Sequence, residues 1–247
     1  MVLDRSVLWG RPMFTLKSTE GPAFAFYGVV ANESVAAARH VIESLFPDNV
    51  FPPLRSDPVQ VVREDSEVSP TPMHVVGAPF ELILLNCGVN RPWQFSYQFG
   101  HELTHLAARS DLRFGKSGRH SWIEEALCGA GSIYALRRMA KEGGEALEAG
   151  AQNYLLNPGL DYSSVGVTPE WFATNSASIF VSSGETSLTA KIAAAILDAC
   201  PDGSFIFDNR MLIEVPLNPD LDQYLAAWEK LVPAGKVPTL LRSLALP

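Results

Sequence analysis

Phe95, Phe99, Leu103 and Leu106 recur at helical spacing, and His101 and His105 lie four residues apart at the border of that apolar stripe. Side chains at i and i+4 project from one helical face about one turn apart. This segment therefore calls for a helix that buries one side and carries two imidazoles at the edge of the buried face. The five residues read His101-Glu102-Leu103-Thr104-His105, an H-E-x-x-H pattern with a carboxylate on the adjoining part of the face. Two imidazoles that can reach one ion, with a carboxylate beside them, suit zinc-assisted hydrolysis. Pro92 suits the first helical turn, and Arg109 to Gly118 reads as the loop that follows.

A catalytic zinc takes three protein ligands, so the histidines need a partner. Ser121-Trp122-Ile123-Glu124-Glu125 opens a second helix, expected over Ser121 to about Lys141, and offers two adjacent carboxylates. Ser121 with Glu124 matches the S-x-x-E capping box, which turns Glu124 back onto the helix start. Glu125, rotated about 100° from it, is then left to face the ion. Asp111 is a rival, because His101 to Asp111 fits the spacing HExxHxxGxxD, although Ala108 stands where that pattern has its turning glycine. His120 is a further candidate.

These residues resemble those of the gluzincin metallopeptidases, in particular the peptidase-MA-like branch, whose pattern is HExxH, a spacer, then W-L-x-E-G-[LF]-A. The resemblance spans about residues 80 to 140 and has Trp122-Ile123-Glu124-Glu125-Ala126-Leu127 in the second block. It implies a zincin-like fold, with His101, His105 and Glu125 as zinc ligands and Glu102 as general base. It also implies that the strand before the active-site helix, Glu81 to Leu85, is an edge strand able to pair with an extended peptide. Ala126 replaces the family glycine. Gly129 stands where some members carry an acidic residue that orients a histidine. No counterpart of the exopeptidase motif is present, so the resemblance points to an endopeptidase.

The rest of the chain reads as β-rich first and helical second, an α+β organisation. Residues 1–90 are expected to form a mixed sheet with one helix, and 91–247 a helical part, together one catalytic domain with the ion in a cleft between subdomains. Phe14 to Lys17 and Ala23 to Val30 suggest a hairpin around Glu20-Gly21-Pro22. Asn32 or Ser34 caps a helix through about Phe46, and Val59 to Arg63 and Glu81 to Leu85 read as strands. Ser69-Pro70-Thr71-Pro72 is a loop. Gly150 to Val181 reads as irregular, with a turn at Asn157-Pro158-Gly159. Helices follow over Ser187 to Ala199, Leu221 to Leu231 and Thr239 to Leu244.

A net charge of −8 disfavours nucleic acid or an anionic membrane as main partner but selects no substrate; a peptide or protein substrate is what the resemblance implies. No apolar run approaches the ~20 residues that span a bilayer, and Trp9-Gly10-Arg11-Pro12 interrupts any secretory h-region. Cys87, Cys128 and Cys200, odd in number and far apart, read as reduced buried thiols of a cytoplasmic protein. His74 and His120 read as incidental loop histidines, and Arg113, Lys116 and Arg119 as a solvated basic loop. Tyr154 and Tyr162 are weighed as oxyanion donors against plain packing. Gly115 and Gly118 lack the Lys-Ser/Thr pattern of a phosphate loop. The rival to the hydrolase reading is a zincin-like metal-binding protein without turnover that works through protein contacts.

Overall fold

The computed structural model describes residues 12–18, 21–28, 33–63, 72–76, 78–88, 91–113, 120–156 and 159–246. Several expectations lie outside them: Glu20 of the hairpin turn, Val29 and Val30, the Asn32 cap and the loop at Ser69 to Thr71. So do Gly115, Lys116, Gly118, Arg119, the Asn157-Pro158 turn and the amino-terminal segment examined for a secretory signal.

The chain is α+β. Among the described residues five strands form one mixed sheet in the order β1-β2-β3-β5-β4: β1 (Phe14–Lys17), β2 (Ala23–Tyr27), β3 (Val59–Arg63), β4 (Met73–His74) and β5 (Leu82–Leu85). β1 and β2 are the expected antiparallel pair, with Phe14 opposite Phe26. β2, β3 and β5 run parallel, and β3 is buried along its whole length, as a central strand between parallel neighbours should be. β2 stops at Tyr27 because Gly28 turns with φ 89°, and a Cβ there would lie 2.4 Å from the Arg63 carbonyl oxygen.

The helices are α1 (Glu33–Leu45), α2 (Pro92–Ala108), α3 (Ser110–Arg113), α4 (Ser121–Glu142) and α5 (Glu145–Leu156). They continue as α6 (Pro169–Phe180), α7 (Ser187–Ala199), α8 (Phe205–Arg210), a 3-10 turn over Met211–Glu214, α9 (Leu221–Leu231) and α10 (Val237–Ala245). Among the described residues, none is long and apolar enough to cross a membrane. Two compact units divide the chain: one takes residues up to Leu103 with Ala135–Leu155, the other Thr104–Tyr134 with Leu156–Pro247. α2 and α4 are continuous helices, and each has residues in both.

In the first unit the alternation of β2 fixes what α2 rests on. Phe24 and Phe26 meet Phe95 and Phe99 of α2, at ring centroid distances of 5.6 to 6.1 Å. Ala25 and Tyr27, on the opposite face of the strand, cluster instead with Val62, Phe80 and Leu82. Gln98 ties α2 to the end of β5: its amide oxygen accepts from Asn86 N at 2.8 Å and its amide nitrogen donates to Asn86 O at 2.7 Å.

In the second unit, Trp122 at the start of α4 is fully buried beside Phe172 and Phe180 of α6. α6 lies in the stretch expected to be irregular. Thr168 caps it by accepting from Trp171 N, with Pro169 in the first turn. α5 also runs through Gly150, which a loop assignment had covered. Tyr224 and Trp228 of α9 are fully buried, and Trp228 Nε1 donates to the Asp208 carbonyl at 2.9 Å.

Three expectations are corrected. β5 is not an edge strand: β4 flanks it, pairing His74 with Ile83 and Met73 with Leu84. Ser34 is buried inside α1, so it is not the residue that starts that helix. Ser121 and Glu124 form no capping box. α4 begins at Ser121 itself, whose hydroxyl donates to Ser182 O at 2.8 Å, and Glu124 turns to Arg113.

Candidate metal centre

The chain turns sharply after α2, and that turn sets the orientation of His105. α2 ends at Ala108, and Arg109 adopts the left-handed conformation, φ 53°, at the position where a helix most often has glycine. Its guanidinium grips Asp111 with two bonds, Nε to Oδ1 at 3.0 Å and Nη2 to Oδ2 at 2.9 Å. The segment expected to be a loop thus restarts at once as α3. This brings Ser110 Oγ to 3.2 Å from His105 Nδ1. With Nδ1 turned to that hydroxyl, Nε2 is the nitrogen left for a metal ion, were one to bind, the usual division of labour in a ligating histidine. Asn209 of α8 adds a second tie, donating from Nδ2 to the Thr104 carbonyl at 3.1 Å.

α4 brings the carboxylate. Glu125 Oε1 lies 3.7 Å from His105 Nε2. That is too long for a direct hydrogen bond. It is within a few tenths of the roughly 3.4 Å that separates two ligand atoms on one tetrahedral zinc with bonds of about 2.0–2.1 Å. His101 sits one turn before His105 on the same continuous helix. Ligand atoms of His101, His105 and Cys128 lie within 4.8 Å of one another, so a thiol joins the imidazoles. Glu125 and Cys128 are three residues apart on α4, hence on one helical face. Two imidazoles, a carboxylate and a thiol are a donor set that suits zinc.

Close approach near this point depends on glycine. A Cβ at Gly131 would lie 2.2 Å from Thr104 Oγ1, so only hydrogen fits there. At Gly129 a Cβ would meet Glu185 Oε1 at 2.9 Å and Tyr162 Oη at 3.1 Å. The space that a side chain at 129 would take is thus filled from elsewhere in the chain by a hydrogen-bonded Tyr162–Glu185 pair. Tyr154, the other candidate tyrosine, packs against Tyr97 with the rings tilted by 53° and centroids 5.6 Å apart.

Glu102 is buried, and its Oε2 accepts from the backbone N–H of His74 at 2.6 Å. That N–H belongs to β4, so the outermost strand already spends one edge donor on the carboxylate. His74 is not incidental: its Nε2 lies 3.0 Å from Glu81 Oε2, and Glu81 in turn binds the Arg55 guanidinium at 3.0 Å. The side chains of both His74 and Glu81 are almost wholly enclosed.

The remaining candidates have other work. Asp111 presents both oxygens to Arg109, and both side chains are almost fully buried. His120 donates from Nε2 to the Asn218 carbonyl at 2.6 Å and packs on the Tyr224 ring. Arg113 is no solvated loop residue. It is buried and bonds Glu124 Oε1 at 3.1 Å, Tyr224 Oη at 2.6 Å and the carbonyls of Leu212 and Val215. Burial pushes the Glu124 carboxyl above its usual range, and the Arg113 charge opposes that shift. Burial likewise raises the Tyr224 hydroxyl.

Ser110, Asn209 and Cys128 were not assigned to the site from sequence. Cys128 carried a usable signal, its i+3 spacing from Glu125. Ser110 and Asn209 carried none, because their reach depends on the turn at Arg109 and on the packing of α8. Compared with known proteins, the chain matches no family model, no curated protein and no solved structure.

Proposed function

We propose that the chain is a zinc-dependent metallohydrolase of gluzincin-like, zincin-like type, an endopeptidase acting on peptides or a protein. The observation that supports it best is the placement of Glu125 Oε1 3.7 Å from His105 Nε2, with Nδ1 of the same ring engaged by Ser110. In this reading His101, His105 and Glu125 hold the ion. Zinc, when bound, supplies a Lewis acid that makes water nucleophilic near neutral pH.

The rest is done by the chain's own groups. Glu102 takes the proton of the attacking water and returns it to the leaving amine. The His74 amide fixes where that carboxylate sits, so the base need not be ordered again during turnover. Ser110 and Asn209 hold the end of α2, and with it the direction of the His105 ring. Three buried cysteines that form no disulfide suit a reducing compartment such as the cytoplasm.

Metal analysis of purified protein, paired with a peptide-library digest, tests the reading. Wild type and Glu102→Gln should both carry zinc, and only wild type should cleave. Equal cleavage by both would remove Glu102 from the mechanism. A metal-binding protein without turnover is the second reading, and Cys128 beside the imidazoles favours it. Zinc in both proteins with cleavage in neither would select it.

A further inference from the structure

We infer that Cys128 is itself a ligand, closing the ion's coordination sphere together with His101, His105 and Glu125. The inference rests on the metal site proposed above and adds a ligand to it. Cys128 is buried, and its sulfur lies with a nitrogen from each of the two imidazoles, all within 4.8 Å. The other two thiols serve as internal controls. Cys87 and Cys200 are likewise outside any disulfide and buried, yet neither falls in such a group among the described residues. Burial alone therefore does not account for where Cys128 sits.

Thiolate–zinc and imidazole–zinc bonds of about 2.3 and 2.05 Å put sulfur and nitrogen roughly 3.6 Å apart on a tetrahedral ion. Rotation about side-chain bonds covers the remaining distance from the 4.8 Å bound. The i, i+3 spacing lets Glu125 and Cys128 approach from one face of α4 without distorting the helix. On binding, the Cys128 S–H bond breaks, its proton goes to solvent, and the sulfur lone pair forms the bond to the cation.

The consequence is a resting site held by four protein atoms, which is the arrangement of a closed centre. Hydrolysis then requires the thiolate to leave so that water can take its position. This makes Cys128 the group that sets how much of the protein is competent at any moment.

Cobalt(II) titration of the full chain tests the inference, since a thiolate on cobalt gives a near-ultraviolet charge-transfer band that imidazole and carboxylate do not. Wild type should show the band. Cys128→Ser should bind cobalt without it, and its zinc affinity should fall at least ~tenfold, the size that losing even an outer partner of a ligand produces. If serine at this buried position disturbs folding, the wild-type cobalt spectrum still decides by itself: one bound equivalent should give the band, and excess zinc should remove it. One equivalent of cobalt bound to wild type without the band would overturn the inference and leave the metallohydrolase reading intact. No cobalt or zinc bound to wild type at all would overturn both.

Discussion

Gly131 is the place where a single added carbon should tell most about the proposed metal centre. Replacing it with alanine puts a Cβ 2.2 Å from Thr104 Oγ1, 3.2 Å from Thr104 Cβ and 3.4 Å from Thr104 Cγ2. Ordinary contact between carbons begins near ~3.5 Å. The segments around Thr104 and Gly131 must therefore part by about 1 Å, because Thr104 is buried and β-branched and has few rotamers to move into.

Overpacking of this kind costs about 1–3 kcal/mol, and alanine returns about 1 kcal/mol of helix propensity over glycine. Net stability alone is then a blunt measure. The coupling with Thr104→Ala is sharper. That change removes Oγ1 and Cγ2 and leaves only the 3.2 Å approach to Cβ. The double variant should be more stable than the sum of the two single changes by about 1–3 kcal/mol.

Metal binding should follow the same pattern. Thr104 adjoins His105, and Gly131 lies on the helix that carries Glu125 and Cys128. Gly131→Ala should therefore weaken zinc about 10–100-fold, the loss seen when a ligand's supporting shell is disturbed, and Thr104→Ala should restore most of it. Urea unfolding with a chelator-competition zinc titration measures both. Additive stabilities and an unchanged zinc affinity would refute the view that this contact sets the ligand geometry.

Four further outcomes are expected. Saturating zinc at about 100 times its dissociation constant should stabilise the fold by about 2.7 kcal/mol, and His101→Ala should abolish that gain in a thermal melt. Glu125→Ala should lose bound zinc while Asp111→Asn keeps it, and full zinc retention in Glu125→Ala would remove Glu125 from the ligand set. Arg113→Ala should cost about 3–5 kcal/mol in urea, because Glu124 and Tyr224 stay buried without their cationic partner; a cost below 1 kcal/mol would count against the hub described for Arg113. Burial holds the Asp208 carboxyl above 3.8, against hydrogen bonds from the Val237 and Lys236 amides. A folded value above the unfolded one gives stability that is full below about pH 3.8 and lost as pH rises through the folded value. Asp208→Asn has no such titration, so its stability relative to wild type should climb across that window, and a pH-independent difference would contradict the shift.

How much of the protein could be read beforehand varies with the range of the interaction. α7 and α9 fall at the expected residues, Ser187–Ala199 and Leu221–Leu231, because apolar spacing, caps and stop signals all lie within a few residues. α6 was missed although Thr168 and Pro169 form a helix start. The surrounding glycines and prolines outweighed that local signal in a reading by composition. The β5 edge was misplaced because β4 is two residues long, too short to show any alternation. Arg113 looked solvated by sequence, since nothing within ten residues announces that Tyr224 and the Leu212 and Val215 carbonyls will surround it.

The candidate site divides along the same line. That His101 and His105 share a face, with Glu102 beside them, follows from the pitch of one helix and needs no tertiary contact. The same holds for Glu125 and Cys128 on α4. The sequence by itself therefore determined two sets of candidate side chains and the helices that carry them. Which carboxylate meets His105, that a thiol joins the imidazoles, and that Ser110 turns the ring were decided only by the tertiary structure. Those facts depend on the turn at Arg109 and the glycine contact at Thr104, which no residue spacing encodes.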